Sequence, residues 1–188
     1  MSKAVSVLGG ATYQGEVTIT EAGLRGMITL RGDLSDEKLA AAVKSVVGLA
    51  LPETRAIKEG KQGAVAWMSP DELLLLCEYQ HADALVAKLD AALAGAHFLA
   101  INVSDARAMF TLSGAGVREV IAKGAPVDLS RRSFKLGEIR RSRIGQIAAA
   151  FWLSDEETLS VICFRSVGAH LFDWLKNAAE HGSLPRFL

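Results

Sequence analysis

Cysteine, proline and aromatic residues are all sparse in this chain, and neither sign of charge prevails. Cys77 and Cys163 are the only thiols, each inside an apolar, strand-like run. Two cysteines placed this way read as small buried hydrophobes, which argues against a disulfide framework or a metal pair. Twenty-one basic residues balance 21 acidic ones, so nothing global attracts nucleic acid or an acidic partner, and any electrostatic argument has to be local. No long hydrophobic run occurs. The stretch from Met1 to Gly15 offers only Lys3 and the broken run Ala4 to Leu8, too short for a signal-peptide core or a membrane span, and reads as cytoplasmic.

Several chemical signatures are missing as well. His81, His97, His170 and His181 have no second histidine or cysteine at metal-ligand spacing. His170 falls near the buried side of a helical pattern, where a hydrogen-bonded core histidine is expected. No Gly-x-Ser-x-Gly elbow and no Walker-type Gly-Lys-Ser/Thr appears. Ser113-Gly-Ala-Gly-Val117 does sit between a strand and a helix, where backbone N–H groups can face an anion. A dinucleotide fingerprint would need a third glycine where Glu119 stands, so a tight strand-to-helix turn is the favoured reading. No convergent acid/base pair, nucleophile or ligand cluster emerges, and no catalytic, cofactor-binding or metal-binding residue is assigned.

What the chain does contain is an internal repeat. Leu24-Arg-Gly-Met-Ile-Thr-Leu-Arg-Gly32 aligns without a gap on Ala106-Arg-Ala-Met-Phe-Thr-Leu-Ser-Gly114. Trp67-Met-Ser69 then matches Trp152-Leu-Ser154, and after one extra residue Cys77 matches Cys163 and Leu85 matches Leu171. Core packing is expected of both tryptophans, and a structural role of Arg25 and Arg107.

Each copy reads as β-α-β-β-α. Strands are expected at Met27 to Arg31 and Met109 to Ser113. A first helix should follow an N-cap at Ser35 and bury Leu39, Ala42, Val43, Val46 and Val47. Its shorter counterpart carries Val117, Val120 and Ile121 and should end in a left-handed cap at Gly124 before Pro126. Hairpins turn at Ser69-Pro-Asp-Glu72, with Pro70 pre-set for the second turn position, and at Ser154 to Glu157. One closing helix buries Leu85, Val86, Leu89 and Leu93; the other, capped by Ser166, buries Val167, Leu171, Trp174, Leu175 and Ala178. His97 to Val103 reads as an extra strand.

The fold class expected is α+β: two pseudo-twofold-related β-α-β-β-α repeats packed as a single pseudo-duplicated domain over 1–188, with repeat one at about 24–95, repeat two at about 106–181 and an N-terminal arm at 1–23. Asp128 to Arg143 is the longest stretch without periodicity, and such a loop commonly binds something. It holds the one local charge cluster, Arg131, Arg132, Lys135, Arg140, Arg141 and Arg143, opposed only by Glu138. A solvated loop and a nucleic-acid site are alternatives, but an arginine-rich loop docking on a protein partner is the functional reading preferred, because guanidinium groups make bidentate contacts to carboxylates and are enriched at interfaces. These six residues are the interface candidates.

Val103-Ser-Asp-Ala-Arg-Ala-Met-Phe-Thr-Leu-Ser-Gly-Ala-Gly-Val-Arg-Glu-Val-Ile-Ala-Lys-Gly-Ala-Pro-Val-Asp-Leu129 and Phe164-Arg-Ser-Val-Gly-Ala-His-Leu-Phe-Asp-Trp-Leu175 resemble the signature stretches of sarcosine oxidase gamma subunits. The resemblance implies a fold like the folate-binding domain of glycine-cleavage aminomethyltransferases. It implies a non-catalytic assembly role in a heterotetrameric complex that demethylates sarcosine oxidatively to glycine and passes the one-carbon unit to tetrahydrofolate. Flavins, NAD and tetrahydrofolate would sit on partner subunits, and the chief partner would be the large folate- and flavin-bearing chain, with no nucleic acid or membrane involved. Those aminomethyltransferases carry a Gly-Tyr-Thr-Gly-Glu-x-Gly stretch, where this chain has Phe151-Trp-Leu-Ser-Asp-Glu-Glu-Thr-Leu-Ser160. No folate residue is carried over. The alternative is a stand-alone protein of this fold that binds folate or another one-carbon ligand.

Overall fold

The structure, a computed structural model, describes residues 3–188. The chain forms two compact units. One is discontinuous, built from the segment ending at Gly23 together with Ala106–Leu188, and the other is continuous, Leu24–Asp105.

The discontinuous unit opens with β1 (Thr12–Gln14) and β2 (Thr18–Glu21), two strands from the stretch read as an arm. The continuous unit follows as β3 (Arg25–Gly32), α1 (Glu37–Val47), β4 (Ile57–Gly60), β5 (Gly63–Ser69), β6 (Glu72–Glu78), α2 (Ala82–Ala92) and β7 (Phe98–Asn102). The chain then returns with β8 (Arg107–Ser113), α3 (Val117–Ala122), β9 (Ile139–Ile144), β10 (Ile147–Asp155), β11 (Thr158–Phe164) and α4 (Gly168–Ala178). Both sheets are antiparallel, in the orders β4-β5-β6-β3-β7 and β1-β2-β8-β11-β10-β9. In the continuous unit β7 lies beside β3 and completes a split β-α-β plan. In the other unit β2, arriving from the far end of the sequence, takes that place beside β8. No helix among the described residues is long and apolar enough to cross a membrane.

The helices cover their own sheets largely with the residues that periodicity selects, except that Leu85 and Val86 of α2 and Val167 and Trp174 around α4 are only half-buried, and Phe172 is buried in addition. α1 buries Leu39, Ala42, Val43, Val46 and Val47 against Ile28, Leu30, Val65, Leu73 and Leu75. α4 buries Leu171, Phe172 and Leu175 against Phe110, Phe151 and Val161. Both thiols are free and buried as expected; burial pushes the Cys77 thiol up, tempered by the Arg25 charge, and pushes Cys163 to about 12.

Details of the boundaries depart from expectation for local reasons. Asp36, not Ser35, caps α1, its carboxylate accepting from the Lys38 N–H at 2.8 Å, while the Ser35 hydroxyl donates to Asp33 Oδ1 at 2.6 Å. Ser166 does not cap α4, because a 3-10 turn over Arg165–Val167 leads directly into the helix. Gly124 is not a left-handed cap: α3 ends at Lys123 in right-handed geometry, and glycine is required at 124 because a Cβ there would collide with the Trp174 ring. The two tryptophans are not equivalent either. Ala64 faces Leu76 and Ala150 faces Ile162, which aligns Trp67 with Leu153 and Trp152 with Ala66. A one-residue offset reverses the sheet face, so Trp67 lies half-buried on the helix side while Trp152 is fully buried on the opposite face.

Candidate functional site

The segment Asp128 to Arg143 is not one loop. Its second part is β9, an edge strand paired with β10, whose Arg-Arg-Ser-Arg core disguises the apolar flanks Ile139 and Ile144. Basic residues along an edge also deter unwanted strand pairing. Opposite the core residue Phe151 lies Arg140, so Arg140, Ser142 and Ile144 look toward the core, and Arg141 and Arg143 share the other face with Ile139.

The preceding loop is organised around two buried side chains. Phe134 is fully buried and meets Phe151 edge-on at 5.9 Å, and Leu129 packs in the same core. Arg118, on α3 and only 4% exposed, donates from Nη1 to the Leu129 carbonyl at 2.9 Å and to the Phe134 carbonyl at 2.8 Å. Its guanidinium also sits over the Phe134 ring at 5.9 Å and lies 3.5 Å from Glu156. Arg140 sits over the same ring at 5.2 Å and donates to the Ser133 carbonyl at 2.9 Å and to Glu138 at 2.7 Å. Burial opposes ionisation of Glu138, but the Lys135 N–H and Arg140 together hold its carboxyl below the ordinary value. Asp128 is held at about 2 by the Ser133 hydroxyl first and then by the Ser130 N–H.

The six expected interface residues therefore divide. Arg140 turns inward and fastens the loop. Arg131 is exposed but paired with Glu156. Arg132, Lys135, Arg141 and Arg143 are exposed, as is Leu136, which follows Lys135. Arg118, which orders the loop, escaped the sequence reading because a lone arginine in an apolar helix carries no distinguishing pattern.

The glycine turn before α3 is occupied by the chain itself. A Cβ at Gly116 would meet Leu184 at 2.5 Å, and buried Glu119 accepts the N–H groups of Arg186 and Leu188. These residues do not fit a pyrophosphate: the turn is filled by the C-terminal segment, and the nearest charge is a carboxylate. Histidine gives no alternative centre. His170 is exposed, contrary to its expected burial, as are the other three, because the inward positions of α4 are Leu171, Phe172 and Leu175. No group of three or more His, Cys, Asp or Glu that could hold a metal occurs among the described residues.

The model of the "Sarcosine oxidase, gamma subunit family" matches residues 31–181. Sarcosine oxidase subunit gamma of Arthrobacter sp is 28% identical over 177 residues, 94% of this chain and 84% of the relative. The subunit gamma of Corynebacterium sp. (strain P-1) is 30% identical over 148 residues, 77% and 72% of the two chains. Among solved structures, a chain of the heterotetrameric sarcosine oxidase from Corynebacterium sp. U-96 in complex with pyrrole 2-carboxylate superposes with a TM-score of 0.79 at 26% identity, covering 89% of this chain and 87% of that one. Aminomethyltransferase T of the glycine cleavage system from Bartonella henselae shares the fold, with a TM-score of 0.63 at 14% identity over 86% of this chain and 46% of its own.

Proposed function

Because the chain belongs to the sarcosine oxidase gamma subunit family, we propose that it is the gamma subunit of a heterotetrameric sarcosine oxidase and acts there as an assembly subunit with no chemistry of its own. The observation that carries this reading is the superposition on a chain of such a complex over nearly the full length of both. The flavins, the nicotinamide dinucleotide and tetrahydrofolate belong on partner subunits in this reading, and the complex works in the cytoplasm. The filling of the one anion-type turn by Leu184 and Glu119 is in keeping with it.

The docking surface is the basic edge: the loop carrying Arg131, Arg132 and Lys135, and the outward face of β9 with Arg141 and Arg143. Arg118 and Arg140 hold this surface in one conformation from within. A preordered surface loses less conformational entropy on association. The partner face it fits is acidic, with apolar ground for Leu136.

Co-expression with the neighbouring genes, followed by size exclusion and mass analysis, tests the assembly role. The chain should co-elute at fixed stoichiometry with a flavin-bearing polypeptide. Elution alone would overturn that role, and normal turnover by partners purified without this chain would overturn its need.

A further inference from the structure

A second feature lies in the continuous unit, away from the basic edge in sequence and in sheet position. The β4–β5 turn, the last turn of α1 and the first half of α2 enclose a cleft of about 560 Å³. Its floor is apolar, formed by Val46, Cys77 and Leu85, and its rim carries Lys61, His81 and Lys88. The volume falls within the range of small-molecule sites, about 300–1,000 Å³.

Lys61 and Lys88 belong to the lysines whose ammonium groups meet no internal acceptor among the described residues, as do Lys44 and Lys135, and they are set apart from those two by lining one cleft. Lys38, Lys58, Lys123 and Lys176 use their ammonium groups internally, on Ala94 O, Leu51 O, Ala178 O and Asp173 respectively. Lys61 and Lys88 have no acceptor among the described residues, although they reach the same cleft from a turn and a helix. The one carboxylate on the rim, Glu78, faces its own neighbours and not the two lysines: its Oε2 accepts from Gln80 Nε2 at 2.8 Å and lies 3.7 Å from His81 Nδ1 on the same rim. The cleft thus combines an apolar floor with two unspent positive charges approaching from different elements.

We infer that this cleft binds a small organic dianion, with its apolar body over Val46 and Leu85 and its two negative ends on Lys61 and Lys88. An inorganic anion would satisfy the ammonium groups but leave the floor wet, and a monoanion would leave one lysine unmatched. Two ammonium groups on separate flexible stems act as point charges and suit carboxylates or a phosphate monoester equally.

Isophthalate, an arene with two carboxylates, is the probe, titrated into the full-length chain by calorimetry and by amide chemical-shift mapping. Saturable binding is expected, with shifts confined to residues 45–46, 61–62, 77–78 and 81–88, and with affinity at least about tenfold above that for benzoate or inorganic phosphate. The K61A/K88A variant should lose at least about tenfold in affinity. The K44A variant, altered on α1 outside the cleft, should bind as the parent does. Both cleft lysines are exposed, so the double variant keeps its fold and its melting temperature. Equal affinity in K61A/K88A, no saturation at about 10 mM, or phosphate binding as tightly as isophthalate would each overturn the assignment.

Discussion

Arg118 shows how much of this protein's surface is decided by one buried group. Its Nη1 joins α3 to two loop carbonyls, and its removal would leave those carbonyls buried without a donor. Arg118→Met should lower stability by about 3 kcal/mol in denaturant unfolding and raise amide exchange across residues 129–138. Arg118→Lys should recover only part, since an ammonium on a shorter stem gives up the planar group over the Phe134 ring and the second nitrogen that faces Glu156. Asp128 governs the start of the same loop. Its folded value of about 2 lies below the ordinary 3.8, so its contribution is complete above about pH 4 and is lost as pH falls through the folded value. Asp128→Asn should remove that dependence. The melting-temperature difference between the parent and the variant should shrink between about pH 4 and pH 2, and a constant difference would refute the assignment.

At the level of elements, the sequence declared those whose faces alternate or repeat with helical period. The buried set of α1 follows from that rule, while the Pro70 hairpin followed from its turn residues between two apolar runs, and β7 from a short apolar run. β9 was hidden because three arginines stand between its two buried ends, Ile139 and Ile144, which lie on opposite faces and so show no alternation. β2 was hidden because its sheet neighbour β8 lies far along the chain, where no local pattern announces the pairing, and β1 because it is a three-residue strand at the sheet edge, paired only with β2. Gly124 was recognised as special for the wrong reason, since proximity to Trp174 leaves no trace in a linear reading. Gly124→Ala should therefore cost about 1–3 kcal/mol through overpacking. A companion Trp174→Leu change should relieve part of that cost, which a backbone-conformation effect would not allow. The basic edge was visible by composition, but which arginines face out was not. Combined reversal of Arg132, Lys135 and Arg143 to glutamate should weaken subunit association at least about tenfold, mainly through slower association. Reversal of Arg140 should instead lower stability, as it fastens the loop from inside.

The whole molecule is asymmetric in a way that two similar repeats conceal. The continuous unit brings its own ends together: Val103 N–H donates to Met27 O at 2.8 Å, and Ser104 Oγ accepts from Met27 N–H at 2.9 Å. The other unit depends on β2 and the residue before it for the buried side chains of Val17 and Ile19. A fragment spanning 24–105 should unfold cooperatively by circular dichroism. A fragment spanning 106–188 should not, until a peptide covering residues 1–23 is added. Cooperative unfolding of 106–188 alone would show that β2 is dispensable.

The same interruption has a consequence for biosynthesis. β2 leaves the ribosome long before β8 exists to receive it, and the whole of β3 to β7 is translated in between. Ile19, fully buried in the finished protein, must spend that interval without its sheet. Folding of the contiguous unit in that interval, which the 24–105 fragment tests, would shorten the open loop to be closed. β2 is thus made before the contiguous unit and seated after it, which makes the docking of β2 on β8 the step at which a nascent chain is most open to a chaperone or to another chain's β8.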